Sequence, residues 1–425
     1  MIYLQVTFGS LQTLDIRGHE NINNLWCHKI PPGFFSKLIE LNINKCGSIR
    51  SLFSSSMVRN LVNLKTLSIR NCNEIVKVIG DDEENVCENS QLIFPSLEEL
   101  WLRSLPNLVN FCGWRCALQL SSLSNINIYD CPRMESFTMG SMTTPKLERL
   151  DVENCKGIEE VFFNVNKYDG KCHVTFPELK NLSLTCLPNL TTFYKGIESI
   201  EFPLLTDMYT SCPNLTGFAT SSVAGHSDDS FHLFCNQKVT FGSLKKLNIG
   251  GYENISNLWC HQIPPTGFFN KLEELYIYHC GRIRSLFSSS IAVNLVNLKK
   301  LEIWFCNEMV KVIGDDEENV CENSQVMFPS LERLFLISLP NLVNCCGWRC
   351  ALQLPSLTDI EIYKCPRMES FTMRSLSTPS LNSIKIDFEG KDVEDLNRAV
   401  QLYFRGKEVH MDVMQIIMKH TLVNR

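Results

Sequence analysis

No stretch of this 425-residue chain approaches the roughly 18 consecutive apolar residues of a membrane-crossing helix, which excludes a spanning helix within it. An excess of basic charge is missing too. Lys and Arg number 40 against 46 Asp and Glu, a formal net charge of −6, so there is no electrostatic footprint for nucleic acid or an anionic membrane. The opening MIYLQVTFGSLQTL has neither the basic n-region nor the continuous apolar h-region of a secretory signal, and the expected compartment is the cytosol. No G-x-x-x-x-G-K-[ST] occurs, so no phosphate-cradling loop is expected. The nine histidines are scattered, and no Ser, Cys or Lys has a base at a recognisable motif spacing. Neither catalysis nor a cofactor is expected.

What is present is a well-patterned globular chain, 44% hydrophobic and 20% charged. Its 20 cysteines would suit a disulfide scaffold, but they are spread over a long chain without a signal peptide, which favours reduced thiols. Seven of them fall in one recurring slot. KLIELNINKCGSIRSLF places Leu38, Leu41, Ile43, Cys46, Ile49 and Leu52 in the frame L-x-x-L-x-I-x-x-C-x-x-I-x-x-L. The frame returns at Leu64–Cys72, Leu123–Cys131, Leu147–Cys155, Leu272–Cys280, Leu298–Cys306 and Leu357–Cys365. Leucine fills the cysteine slot at Leu105, Leu187 and Leu339, each followed by Pro-Asn-Leu. Repeats at Leu11 and Leu244 are looser, the one near Leu204 is a residue short, and Leu381 opens a truncated last one. About 14 repeats result, most of them 24–33 residues apart.

The spacing predicts the fold. The second and third apolar positions lie two apart, so on a short strand both point to one face. No repeat can bury that edge alone, so neighbours stack strand beside strand into a solenoid. The expected class is an α/β repeat solenoid, a curved horseshoe with a parallel sheet on its concave face. About 14 strands at roughly 4.8 Å spacing would make an arc of roughly 65 Å. The returning segments, with Phe-Pro, Cys-Pro and Leu-Pro-Asn turns, are expected to be mostly irregular. In this frame the slot cysteine faces the stack as a small hydrophobe with a weak S–H donor. Metal binding is the sharper alternative for Cys112/Cys116 and for the Cys27-His28 and Cys260-His261 dipeptides, but none has the spacing of a zinc site. Four N-x-S/T sequons, at Asn181, Asn189, Asn214 and Asn254, read as chance matches within repeats.

These repeats, punctuated by FPSLEELWLRSLPNLVNFCGW and FPSLERLFLISLPNLVNCCGW, resemble the C-terminal leucine-rich repeats of plant intracellular disease-resistance proteins, the coiled-coil nucleotide-binding type. The resemblance covers about 8 to 390. It implies a leucine-rich-repeat sensor whose partners are a pathogen effector or guarded host protein and the nucleotide-binding domain of an intact receptor. Met1 stands almost directly before the first repeat, so the chain is expected to be a sensor region without its nucleotide switch: a fragment, a truncated product or a stand-alone array.

The chain also contains its own comparison. Residues 6–140 match 239–374, and the decapeptide DDEENVCENS recurs unchanged at Asp81–Ser90 and Asp315–Ser324. Between Phe34–Gly140 and Phe268–Arg374, 26 of 107 positions differ, and 15 of these fall on the 20 outward positions flanking four strands. Asn42 stands against Tyr276, Asn44 against Tyr278, Ser68 against Glu302, Arg70 against Trp304 and Arg103 against Ile337. Surface tolerance alone predicts drift on loops as well, yet the exposed acidic loop is frozen. Diversification of the concave face as a recognition surface in a young duplication accounts for both; an intramolecular basic partner for the acidic loop is the other reading of its constancy.

The candidate partner-binding residues are the outward aromatics Tyr276, Tyr278, Trp304, Phe335 and Tyr363, with Trp101 and Tyr129 in the first half. Tyr and Trp dominate binding hot spots because they bury much area at small entropic cost. The competing role is lateral packing between neighbouring strands. The expected organisation is 1–218 as a first repeat half, 219–238 as a polar linker or insertion, 239–390 as a second half and 391–425 as a helical cap. In the cap Val393, Leu396, Val400 and Phe404 have helical spacing, with Asp392 as N-cap and Gly406 as a break. The function expected is protein recognition in plant innate immunity. The alternatives are a substrate or hormone adaptor of a ubiquitin ligase, whose F-box helices are not found before Leu11, and a truncated receptor remnant.

Overall fold

The computed structural model describes residues 10–404, apart from 24, 27–32, 34, 81–90, 113–116, 139–141, 164–172, 221–232, 235–238, 260–268, 315–323, 348–349 and 393–394. The chain divides into two compact units, Met1–Leu244 and Lys245–Arg425. The first carries a parallel sheet of eight strands in chain order: β1 (Thr13–Arg17), β2 (Glu40–Asn44), β3 (Thr66–Arg70), β4 (Glu99–Arg103), β5 (Asn125–Tyr129), β6 (Arg149–Glu153), β7 (Asn181–Thr185) and β8 (Asp207–Ser211). The second carries β9 (Lys246–Gly250), β10 (Glu274–Tyr278), β11 (Lys300–Trp304), β12 (Arg333–Ile337), β13 (Asp359–Tyr363) and β14 (Ser383–Ile386), again parallel. A final strand, β15 (Glu389–Asp392), runs antiparallel to β14.

Every strand is one turn of the repeat frame. Register aligns Leu41, Leu67, Leu100, Ile126, Leu150 and Leu182 in one line and Ile43, Ile69, Leu102, Ile128, Val152 and Leu184 in a second. All twelve side chains are buried. The period of two puts them on one face and the residues between them on the other.

The chain leaves most of these strands in the same way. The next residue has positive φ: Lys45, Asn71, Ser104, Asp130, Asn154 and Cys186 in the first unit, and His279, Phe305, Ser338, Lys364 and Asp387 in the second. From Lys45 through Ser338 its N–H donates to the carbonyl of the last residue of the following strand, as in Asn71 to Arg103 at 2.9 Å and Phe305 to Ile337 at 3.0 Å, whereas Lys364 donates to the Asp387 carboxylate and Asp387 to the Ile362 carbonyl, both at 2.9 Å. Asn and Asp tolerate the left-handed region, whereas bulky side chains rarely enter it.

The return segments contain little helix, only Ser55–Val58 and Ser289–Ala292 among the named elements outside the C-terminus. Their irregularity is punctuated by short parallel strands that stack repeat on repeat, such as Ser51–Ser54, Lys77–Gly80, Asn110–Cys112 and Ser136–Thr138. A column of phenylalanines fills the first unit behind them. Phe202 stacks on Phe176 and Phe241, each at 5.7 Å between ring centroids, and meets Phe193 edge-on at 5.9 Å. Within the expected insertion 219–238, Leu233 and Phe234 are core residues, and Phe234 stacks on Phe218 at 5.9 Å.

The slot cysteines Cys46, Cys72, Cys131, Cys155, Cys280, Cys306 and Cys365 are free and fully buried. Their thiols lie near the carbonyl two residues back, for example Cys72 to Arg70 at 3.2 Å and Cys155 to Glu153 at 3.3 Å. Burial pushes the Cys72 thiol up to about 11. Cys280 is held protonated by its hydrogen bond to Cys306 and by burial. Iodoacetamide should therefore modify Cys46, Cys72, Cys280, Cys306 and Cys365 only after denaturation, read by mass spectrometry of native and unfolded samples. Rapid native labelling of all five would contradict the repeat register. Two cysteines depart from the expectation of reduced thiols. Cys112 and Cys346, equivalent positions of the duplication, are disulfide-bonded. Each opens a CGWRC stretch that carries a second cysteine four residues on.

At the C-terminus Leu396, Val400 and Phe404 line the buried side of a helix over 396–404. Its cap is not Asp392, which belongs to β15. Asp395 takes that place: its carboxylate accepts the Arg398 N–H at 3.0 Å and its carbonyl the Ala399 N–H at 2.9 Å. The extra strand consumes the residues that helical spacing assigned to the first turn. Val393 and the segment after 404 lie outside the described residues, as do Asp81–Ser90 and 315–323 of the acidic decapeptides.

Candidate recognition surface

The outward positions of each strand form rows across the sheet. In the second unit one row runs Asn248, Tyr276, Glu302, Phe335, Glu361 and Lys385. The next, at the strand ends, runs Gly250, Tyr278, Trp304, Ile337 and Tyr363. The five aromatics expected from the second half thus share two adjacent rows of one sheet. Trp101 and Tyr129 belong to the first unit, on neighbouring strands β4 and β5 but in different rows.

The first of these rows is held laterally. Lys300 lies 5.1 Å from the Tyr276 ring centroid and 5.9 Å from that of Phe335, and Lys246 lies 5.3 Å from Tyr276 on its other side. The Lys300 ammonium also pairs with Glu302 at 2.6 Å, a side chain only 6% exposed. That hydrogen bond raises the Lys300 pKa. The Tyr276 hydroxyl donates to Glu274 at 2.8 Å, and burial followed by this carboxylate raises its pKa. Each cation–π contact contributes about 0.5–2 kcal/mol depending on desolvation. Tyr276 and Phe335 therefore have the lateral packing role and are pre-positioned by it.

The strand-end row is more open. Trp304 is 39% exposed, and its indole N–H donates to no described residue. The Tyr278 ring lies against Gly250, where a Cβ would come within 1.9 Å of it. Tyr363 packs against Phe388 at 4.4 Å, itself 73% exposed. Beside this row stand two aromatics that the strand pattern does not single out. His279 and Phe305 stack at 4.8 Å and 8° from the positive-φ positions of adjacent repeats, and Phe305 is 42% exposed. The signal available for Phe305 was its slot: the duplicate has Asn71 there, a residue that suits left-handed backbone.

In the first unit Trp101 donates its indole N–H to Glu99 at 3.2 Å and takes Arg70 on its face at 5.9 Å. The Tyr129 hydroxyl donates to Asp151, and burial followed by that carboxylate raises its pKa. Both are half-buried and already partnered. The sequons at Asn189 and Asn214 also have structural work: their amides donate to the carbonyls of Lys156 and Pro188 in the preceding repeat, both at 2.8 Å. Among the described residues, no group of His, Cys, Asp and Glu could hold a metal ion, and no helix is long and apolar enough to cross a membrane.

Stacked parallel strands, a buried leucine frame and a variable outward face define a leucine-rich-repeat solenoid. The chain belongs to the family described as plant disease resistance protein RPS2-like, leucine-rich repeats, which matches residues 10–145, 226–307 and 243–386. It is 28% identical over 137 residues to the probable disease resistance protein At1g61190 of Arabidopsis thaliana, covering 32% of this chain and 14% of that one. It is also 26% identical over 176 residues to the probable disease resistance protein At4g27220 of the same plant, covering 38% of this chain and 18% of that one. The matched stretch is thus a small part of either relative's length.

Proposed function

We propose that this chain is a non-catalytic recognition module in plant defence, and that the outward face of its second unit contacts a pathogen effector or guarded host protein. The observation that carries this reading is chemical contrast on a constant frame. Where the first copy has Asn42, Asn44, Ser68 and Arg70, the second has Tyr276, Tyr278, Glu302 and Trp304, while the leucine frame beneath is buried alike in both. In an intact receptor the same array would also restrain a nucleotide-binding switch. Tyr276, Tyr278, Trp304, Phe335 and Tyr363 are the contact residues of the proposal, with Trp101 and Tyr129 secondary because they lie on the first unit. The repeat halves, the 219–238 connection and the C-terminal cap are its working divisions.

A screen of effector and host-protein libraries tests the proposal. The bait is the native chain, and the counter-bait carries Tyr276→Asn, Tyr278→Asn and Trp304→Arg, residues the first copy already accommodates. A partner retained by the native chain and lost by the variant is expected. Partners that bind both baits equally would place recognition elsewhere. A further variant with Asp315–Glu318 neutralised should keep the partner.

A further inference from the structure

The strand-end row of the first unit has an electrostatic feature that its fold does not require. Arg70 on β3 and Arg103 on β4 are register partners on the outward face. Lys45, in the turn after β2, donates its backbone N–H to the Arg70 carbonyl at 3.1 Å, so a third cation adjoins the pair. All three residues are exposed. Like charges directly opposite on neighbouring strands destabilise a sheet. Among the described residues no carboxylate forms an ion pair with any of the three.

The carboxylates nearby are occupied or displaced. Asp15 pairs with Arg17 at 2.5 Å, Glu40 accepts the Asn42 amide at 2.7 Å, and Glu99 accepts the Trp101 indole at 3.2 Å. Along the row, Tyr129 separates Arg103 from Glu153. An open groove of about 990 Å³ is lined by Lys45 and Arg50 together with Glu20 and Glu74, so its charges balance. The guanidinium of Arg70 is held in place on two sides, by Nε donating to Ser68 Oγ at 2.9 Å and by the Trp101 ring at 5.9 Å. The second copy shows that the frame does not need these cations. Lys45, Arg70 and Arg103 become His279, Trp304 and Ile337 there, on strands with the same register and the same buried leucines.

We infer that Lys45, Arg70 and Arg103 form a docking site for an acidic segment of a partner protein, separate from the aromatic face of the second unit. Charge complementarity identifies the occupant. Two arginines at register-paired positions, one with its guanidinium pre-oriented by Ser68 and Trp101, suit carboxylates on an extended acidic peptide. The two duplicated units then address different chemistries, one anionic and one apolar.

The test uses the full chain and a fluorescein-labelled decapeptide containing four consecutive Asp and Glu residues. Its control replaces each acid by the amide. Fluorescence anisotropy should give at least about tenfold tighter binding of the acidic peptide at low salt, weakening as ionic strength rises. The pair Arg70→Trp and Arg103→Ile, copied from the second unit, should abolish that preference without lowering the thermal melt. The reciprocal pair Trp304→Arg and Ile337→Arg should confer acidic-peptide binding on the second unit, even in a chain that carries the first pair. Undiminished acidic-peptide binding by the Arg70→Trp, Arg103→Ile chain would overturn the inference. So would equal binding of acidic and amide peptides, or tighter competition by a single-stranded oligonucleotide of equal charge.

Discussion

Replacing Phe202 by alanine is expected to destabilise the first unit by about 3–5 kcal/mol, the range for removing a fully buried aromatic. Phe202 is 0% exposed and lies at the centre of the phenylalanine column behind the sheet, with Phe176 and Phe241 stacked on its two sides and Phe193 and Phe218 meeting it edge-on. Those rings come from different repeats, each pinned by its own short return strand, so the surroundings cannot collapse into the space. Urea unfolding followed by fluorescence and circular dichroism reads the loss. Phe202→Leu, which refills most of the volume, should recover much of it. A loss below about 1 kcal/mol for the alanine variant would mean that the return segments, and not only the sheet, can repack freely.

The second large effect concerns binding. Truncation of Trp304 to alanine should weaken a partner on the second unit by about 2 kcal/mol, roughly 30-fold, as buried aromatic anchors do. Its effect on folding should be well under that, because the side chain is 39% exposed free of any described hydrogen bond. Tyr276→Ala should weaken binding by a similar amount but also cost stability, since it removes the hydroxyl bond to Glu274 and the ring between Lys246 and Lys300. Tyr276→Phe separates the two effects. Calorimetry with an identified partner, paired with thermal melts, measures both. If Trp304→Ala binds normally while neutralising Asp315–Glu318 does not, recognition lies on the loop edge, and the strand differences between copies reflect surface tolerance.

These two residues mark how far the repeat frame reads through. Phe202 precedes a proline at the end of a return segment, and its burial follows from Phe-Pro recurring just before the repeat frame resumes, as at Phe94 and Phe328. Trp304 is legible as outward from the period of two alone. How exposed it is was not, because that depends on Tyr278 and Ile337, the residues beside it in the row, 26 and 33 positions away in sequence.

The sequence by itself determined the repeat, the parallel order of the strands, the buried lines of Leu and Ile and the burial of the slot cysteines. A period of two on a strand and one unburied edge per repeat leave no other arrangement that removes those side chains from water. Only the tertiary structure decided which outward aromatics are pinned and which are open, that Tyr278 lies on Gly250, that Arg70 and Arg103 are register partners with no ion pair among the described residues, that Cys112 and Cys346 are oxidised, and that Asp395 and not Asp392 caps the last helix. Apart from the cysteines, each of these rests on side chains from different repeats, or on a strand competing with a helix for the same residues. Such contacts acquire their distances only when the repeats stack and the register between them is set.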